Sequence, residues 1–291
     1  MDTICLNNEF FTLKISAFGA EIISAYSKCW NQELIWQADP KVWARHAPVL
    51  FPFVGKLKQD NYKFQGEIFK MSQHGFARDR RFTLEDYNDM EAIFLLRSDE
   101  ESLKLYPFPF ELKIKYSLTG KKVNCEYNVY NRGSTELYFS IGAHPGFIFP
   151  FASNSACDEN FILFSNEEYN SRFLLNEGLF NGNTAPVFQS DNRTLILNEK
   201  LLSSDAVVLK NLRSSHLILS DQKNELRFSW ENFSYFGIWT KNIESGFICL
   251  EPWSGLADSI YSDQNLENKE GIRRLASGSM DSFVYSFETI N

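Results

Sequence analysis

Alternation of apolar and polar residues is the commonest local pattern along this chain. The segment FELKIKYSLTGKKVNCEYNVYNRG sets Leu112, Ile114, Tyr116 and Leu118 on one face and Glu111, Lys113, Lys115 and Ser117 on the other. After TGKK the scheme resumes with Val123, Cys125, Tyr127 and Val129, which predicts a β-hairpin. FFTLKIS, SHLILSD, NELRFSW, SGFICLE and SFVYSFETI read as further strands, several bounded by Gly, Asn or Asp. Helical periodicity is poor. DPKVWARHA and DENFILFSNEEYN read as short turns, and no segment sustains an amphipathic helix of several turns. No low-complexity linker or fixed-period repeat divides the chain. The expected architecture is one antiparallel all-β domain spanning 1–291, a sandwich of broad sheets.

Composition agrees with a β core. The 291 residues include 27 Phe, 12 Tyr and 6 Trp, side chains that favour strands and that also stack against sugar rings. Net charge is −8, and the densest cationic patch, Arg78 to Arg81, is too short to track a phosphodiester backbone. Nucleic acid is therefore not an expected partner. The five cysteines, at 5, 29, 125, 157 and 249, are scattered and form no C-x-x-C pair. They are expected to be small core residues in a reduced, cytoplasmic protein. The opening MDTICLNNEF lacks the plan of a signal peptide. The uncharged run from Leu137 to Cys157 is broken by Gly142, Pro145, Gly146 and Pro150, which argues against a membrane helix.

Motifs for nucleotides and metals are missing from the sequence. No G-x-G-x-x-G, P-loop, G-x-S-x-G or H-E-x-x-H occurs, and the four histidines are far apart. Neither a cofactor nor a metal is expected. Three segments instead set a titratable residue among Gly, Pro and aromatics: SQHGFARDRRF with His74 and Arg78, SIGAHPGF with His144, and FICLEPWSG with Glu251 and Trp253. Pro145 pushes His144 toward an extended backbone, and Gly146 permits a turn or a close approach. By itself His144 reads equally as a core histidine or as a proton donor. Glu251 follows an apolar strand that Pro252 is expected to end. Partial burial there would raise its pKa toward that of a useful base, whereas escape into solvent would leave it ordinary. The Arg78 fork suits a hydroxyl or a phosphate, while Arg80 and Arg81 read as solvated loop residues.

PVLFPFVGKL, HGFAR, GAHPGF and EPWSG, in that order on an all-β chain, resemble the aldose 1-epimerase (galactose mutarotase) superfamily, in particular its LacX-like branch. The resemblance runs from FGAEIIS to the final strands. It implies a β-supersandwich with an open sugar cleft, and interconversion of α and β anomers of a small carbohydrate without a cofactor. It also implies His144 as general acid at the ring oxygen, Glu251 as general base at the anomeric hydroxyl, and His74 as a second cleft histidine. Asp205, in LLSSDAVVLKNL, matches the family's sugar-binding aspartate. Lys56 stands where the family's cleft arginine falls, and donates hydrogen bonds without the bidentate fork. Three other readings accompany this one: a hexose 6-phosphate substrate held by Arg78 or a neighbour, a non-catalytic carbohydrate-binding protein on the same scaffold, and a glycosidase using Glu251 with Asp258.

Overall fold

The structure, a computed structural model, describes residues 2–152, 160–202 and 205–290. Cys157 lies outside the described residues. The predicted hairpin forms as Phe110–Thr119 against Lys122–Asn131, with Leu112 opposite Val129 and Tyr116 opposite Cys125. It sits in a nine-stranded antiparallel sheet that runs from Thr194–Ile196 at one edge, through Met280–Thr289 at its centre, to Thr83–Tyr87 at the other. A second sheet carries, in order, Leu179–Ala185, Arg172–Asn176, Val207–Lys210, Tyr235–Trp239, Phe247–Trp253, Gly142–Ala143 and Val49–Leu50. Gly146–Ile148 also pairs with Phe247–Trp253. A smaller sheet of four strands is formed by residues 3–33. The protein is an antiparallel β-supersandwich, and among the described residues only Glu100–Leu105 and Glu199–Leu202 are α-helical.

Aromatic contacts join the two large sheets. Phe147 of the second sheet meets Phe228 and Phe287 of the first edge-on, with ring centroids 6.1 and 5.2 Å apart. Each such fully buried ring contributes about 1.5–3 kcal/mol. Two of the hydroxyls taken into this core find carbonyl partners. Tyr116 donates to the Ala20 carbonyl and Tyr106 to that of Tyr138, both at 2.6 Å. Among the described residues, no helix is long and apolar enough to cross a membrane.

Three local expectations change. DENFILFSNEEYN contains a strand, Phe161–Phe164, paired with both His216–Ser220 and Thr194–Ile196. Only Ile162 and Phe164 face inward there, an alternation too short to outweigh the polar residues around it. Of the four described cysteines, Cys125 and Cys249 are buried, whereas Cys5 and Cys29 are exposed. Cys5 belongs to a strand whose other face, Ile4 and Leu6, supplies the core, so alternation turns its thiol outward.

The third change concerns Pro252, which does not end its strand. Phe247–Trp253 continues through it, with Pro252 opposite Phe236 and every residue buried. On the opposite flank, Leu250 N–H donates to the Pro145 carbonyl and Ser254 N–H to that of Ile141. The Pro252 nitrogen faces this same flank. There the register is the same on either side of the gap, 142 with 253 and 146 with 249, and the Pro145 carbonyl still accepts from Leu250. Pro252 therefore removes one N–H from the ladder without ending the strand.

The continued strand fixes two faces. Ile248 and Leu250 point into the core between the sheets. Phe247, Cys249, Glu251 and Trp253 share the outer face, at every second residue. Two glycines make room for the last of these. A Cβ on Gly142 would lie 2.7 Å from the Trp253 ring, and one on Gly237 would lie 2.6 Å from it. Gly237→Ala should therefore lower stability by about 1–3 kcal/mol through overpacking. Chemical denaturation measures this, and an unchanged midpoint would show that the indole is not seated as described.

Candidate active site

On the outer face of the second sheet lies a cavity of about 490 Å³. Its wall includes His74, Arg78, His144, Lys56, Asp205 and Trp253, six of the seven residues singled out from the sequence. Glu251 is the exception. It is only 1 % exposed and lies behind His144 rather than across the cavity from it. The imidazole Nε2 and the Glu251 Oε2 are 3.1 Å apart. The sequence reading expected these groups to face each other over a hollow. With 142 paired to 253 and 146 to 249, residue 144 instead falls opposite 251, which sets the imidazole directly on the carboxyl of the neighbouring strand.

Burial dominates the electrostatics of this pair. Burial, reinforced by the Arg78 and Arg45 charges, lowers the His144 pKa to about 3. Burial likewise pushes the Glu251 carboxyl well above the usual carboxylate range; the Trp253 indole opposes the rise and the Asp205 charge adds to it. Both shifts favour uncharged forms, so the resting pair is a neutral imidazole beside a protonated carboxyl. The pair thus holds one exchangeable proton.

The aromatics expected around His144 include two tryptophans from distant segments, which the sequence reading did not name. Trp43 stacks on its ring at 5.1 Å and 25°, and Trp239 meets it edge-on at 5.8 Å. Trp43 also lies parallel to Phe247 at 5.4 Å. Gly146 is what admits Trp43, since a Cβ there would stand 2.7 Å from that indole. The loop carrying Trp43 is pinned by buried Glu21, whose Oε1 accepts from the N–H groups of His46 and Ala47 at 2.7 and 2.8 Å. Trp239 was legible in principle, because it shares with Gly237 and Tyr235 one face of the Tyr235–Trp239 strand. Trp43, in an irregular loop, left no periodic signal.

His74 is fixed by its backbone. It has a φ of 68°, and the next residue, Gly75, has a φ of 72° with its α-carbon packed against the Phe51 carbonyl. The Gly55 N–H donates to His74 Nδ1 at 3.1 Å, and the His74 N–H donates to the Gly55 carbonyl at 2.9 Å. Because Nδ1 accepts, the ring proton resides on Nε2. The His74 and His144 rings are 5.6 Å apart and nearly perpendicular. Burial, then the proximity of His144, Arg78 and Arg45, holds the His74 pKa well below its ordinary value.

The charged residues of the wall are already engaged. Arg78 Nη2 donates to the Gln73 carbonyl at 2.6 Å, and its Nε lies 3.7 Å from Asp79. Asp79 also accepts from Arg45 at 2.8 Å. Lys56 Nζ donates to the Glu177 carbonyl at 3.2 Å, at the tip of the Arg172–Asn176 and Leu179–Ala185 hairpin. That hairpin supplies Leu175, Glu177, Gly178 and Phe180 to the rim, none of which the sequence reading named. Asp205 is exposed, and its Oδ1 accepts from the Ala206 N–H at 2.8 Å. Asp258 lies elsewhere, in a buried ion pair with Lys269 at 2.7 Å. Arg80 and Arg81 pair with Asp99 and Asp2 away from the cavity.

Comparison with known proteins gives a consistent result. A family model described as aldose 1-epimerase matches residues 2–270. The chain is 34 % identical to the chromosomal protein LacX of Lactococcus lactis subsp. lactis over 284 residues, 94 % of each chain. Its fold is similar to that of a galactose mutarotase related enzyme from Lactobacillus acidophilus, with a TM-score of 0.90, 31 % identity, and 99 % of this chain and 97 % of that one covered. It is similar also to a galactose mutarotase-like protein from Lactobacillus casei, with a TM-score of 0.93, 29 % identity, and 99 % and 100 % of the two chains covered.

The hydrogen bond from Gly55 predicts a spectroscopic signature. Nitrogen-15 spectra of the imidazoles should show His74 at pH 7 as the neutral tautomer protonated on Nε2. A proton on Nδ1, or an imidazolium, would show that the Gly55 contact does not set this ring.

Proposed function

The chain belongs to the aldose 1-epimerase family, and from that premise we propose that it interconverts the α and β anomers of a hexose or related aldose, with His144 and Glu251 exchanging protons with the sugar. The observation that carries this reading is the buried 3.1 Å approach of imidazole to carboxylate at a cavity of about 490 Å³. That volume suits one sugar ring. The walls suit it too, since Trp43, Trp239 and Trp253 offer apolar faces and His74 Nε2–H offers a donor.

The chemistry asks for two proton transfers in opposite directions. Opening a pyranose puts a proton on the ring oxygen and takes one from the anomeric hydroxyl. Passing the carboxyl proton from Glu251 to His144 creates an imidazolium and a carboxylate, an acid and a base side by side. The imidazolium protonates the ring oxygen as the carboxylate receives the hydroxyl proton, which leaves neutral imidazole and protonated carboxyl beside an open-chain aldehyde. The aldehyde carbon then rotates and the steps reverse, closing the ring on its other face. The net proton count of the pair is the same before and after, so the cycle needs no external acid or base. His74 Nε2–H, beside His144, donates to whichever sugar oxygen carries developing charge.

Charge balance in the cavity favours an unphosphorylated sugar. Lys56 and Arg78 are offset by Glu177 and Asp205 on the same wall, and both cations already donate to backbone carbonyls. A phosphate dianion would meet two cations whose charge two carboxylates on the same wall already offset. The glycosidase reading loses its second carboxylate, because Asp258 is committed to Lys269 outside the cavity.

Polarimetry of freshly dissolved sugars tests the proposal directly. Glu251→Gln and His144→Asn should each lower kcat by on the order of 10²–10⁴-fold, with sugar affinity held within a few-fold. Sugar binding by the unsubstituted protein with no acceleration over buffer would replace catalysis by the binding-only reading. Among matched substrates, the neutral aldose should give the higher kcat/KM, and a preference for its 6-phosphate would overturn the charge argument.

A further inference from the structure

Cys249 takes no part in the proton exchange, yet it stands two residues before Glu251 on the same face of one strand. Its register partner is Gly146, two residues beyond His144. Ligand atoms of His144, Cys249 and Glu251 all lie within 4.8 Å of one another, and all three residues are buried. Two polar atoms in this cluster, His144 Nδ1 and Glu251 Oε2, are buried without a formed hydrogen bond. The 3.1 Å approach of His144 Nε2 to Oε2 is a close contact whose alignment falls short of one.

A thiol, an imidazole and a carboxylate that converge on one point form the donor set of a borderline divalent cation. Zinc takes these ligands in tetrahedral geometry, whereas magnesium and calcium reject the sulfur. From zinc bond lengths of 2.0–2.3 Å, tetrahedral ligand atoms lie roughly 3.5 Å apart, so the trio has to close by about 1 Å. We propose that His144, Cys249 and Glu251 form an inhibitory zinc site, with the metal's fourth position open to the sugar cavity beside His144. On binding, the Cys249 thiol and the His144–Glu251 pair give up their protons to solvent, and the metal holds both groups that would otherwise serve the sugar. Sugar and zinc then exclude one another. The inhibitory consequence rests on the function proposed above, while the site itself does not.

The experiment uses the full chain, stripped of metal and titrated with zinc chloride against a chromophoric chelator. The expected result is one zinc per chain, with affinity reduced by roughly 100-fold or more in Cys249→Ser. Magnesium should give no binding. Polarimetry follows in parallel: zinc should stop anomerisation in the unsubstituted protein, EDTA should restore it, and Cys249→Ser should keep the basal rate and resist zinc. If Cys249→Ser fails to fold by circular dichroism, Cys249→Ala serves the same comparison. No stoichiometric binding, or equal affinity with and without Cys249, would overturn the site. Zinc bound through Cys249 that leaves an active enzyme uninhibited would overturn its inhibitory role. Zinc bound through Cys249 in a protein with no anomerase activity would uphold the site and remove the proposed function instead.

Discussion

The structure turns on the register of one β-ladder. Gly142 pairs with Trp253 and Gly146 with Cys249, one register that places His144 opposite Glu251. Two consequences follow from it. Pro252 withholds one N–H from the ladder, yet its strand runs on to present Trp253. The imidazole comes to rest on the Glu251 carboxyl. A slip of one residue would turn residue 144 to the other face of the sheet and part the two groups.

Burial then sets the protonation of what the register brings together. Two ionised groups in an apolar site are costly to desolvate, and the low dielectric favours the neutral forms on both sides of the contact. The aromatics are the means of that burial. Trp43 and Trp239 close on the imidazole with Phe247 packed against both indoles, and Trp43 reaches it only because Gly146 has no side chain. The same indoles that exclude water offer apolar faces to a ring entering the cavity. Packing and chemistry are therefore carried by the same side chains, and a substitution among them disturbs both.

What the sequence revealed and what it hid divide along physical lines. Alternation predicted the Phe110–Asn131 hairpin and the strands around it because both faces of those segments meet contrasting surroundings. It missed Phe161–Phe164, where two inward residues are too few to stand out. The strand end assigned to Pro252 failed because the effect of a proline depends on which flank its nitrogen faces, and that is a tertiary property. Six of the candidate residues do share a cavity, but four of its rim residues come from a hairpin whose sequence, NEGLF, carries no chemical signature. Direct contact between His144 and Glu251 was equally illegible, since 107 residues separate them and only sheet order brings them together.

The division between floor and rim bears on how such a fold can change its substrate. The floor, His144 and Glu251 with the tryptophans around them, is built on the sheet and held by strand register. The rim is built on a hairpin tip fastened by the Lys56 ammonium to the Glu177 carbonyl, one hydrogen bond at an exposed site. Lys56 also packs its stem along Gly178, with a Cβ at that position falling 3.4 Å from the lysine Cδ. A lysine used in this way spends one of its three N–H donors on the hairpin that faces the cavity and keeps two for a ligand. Replacing it with the forked cation that the resemblance places nearby would supply several donors from the same position, enough to hold the tip and reach a hydroxyl together. The tip and its fastening can therefore vary while the His144–Glu251 pair stays where the ladder puts it.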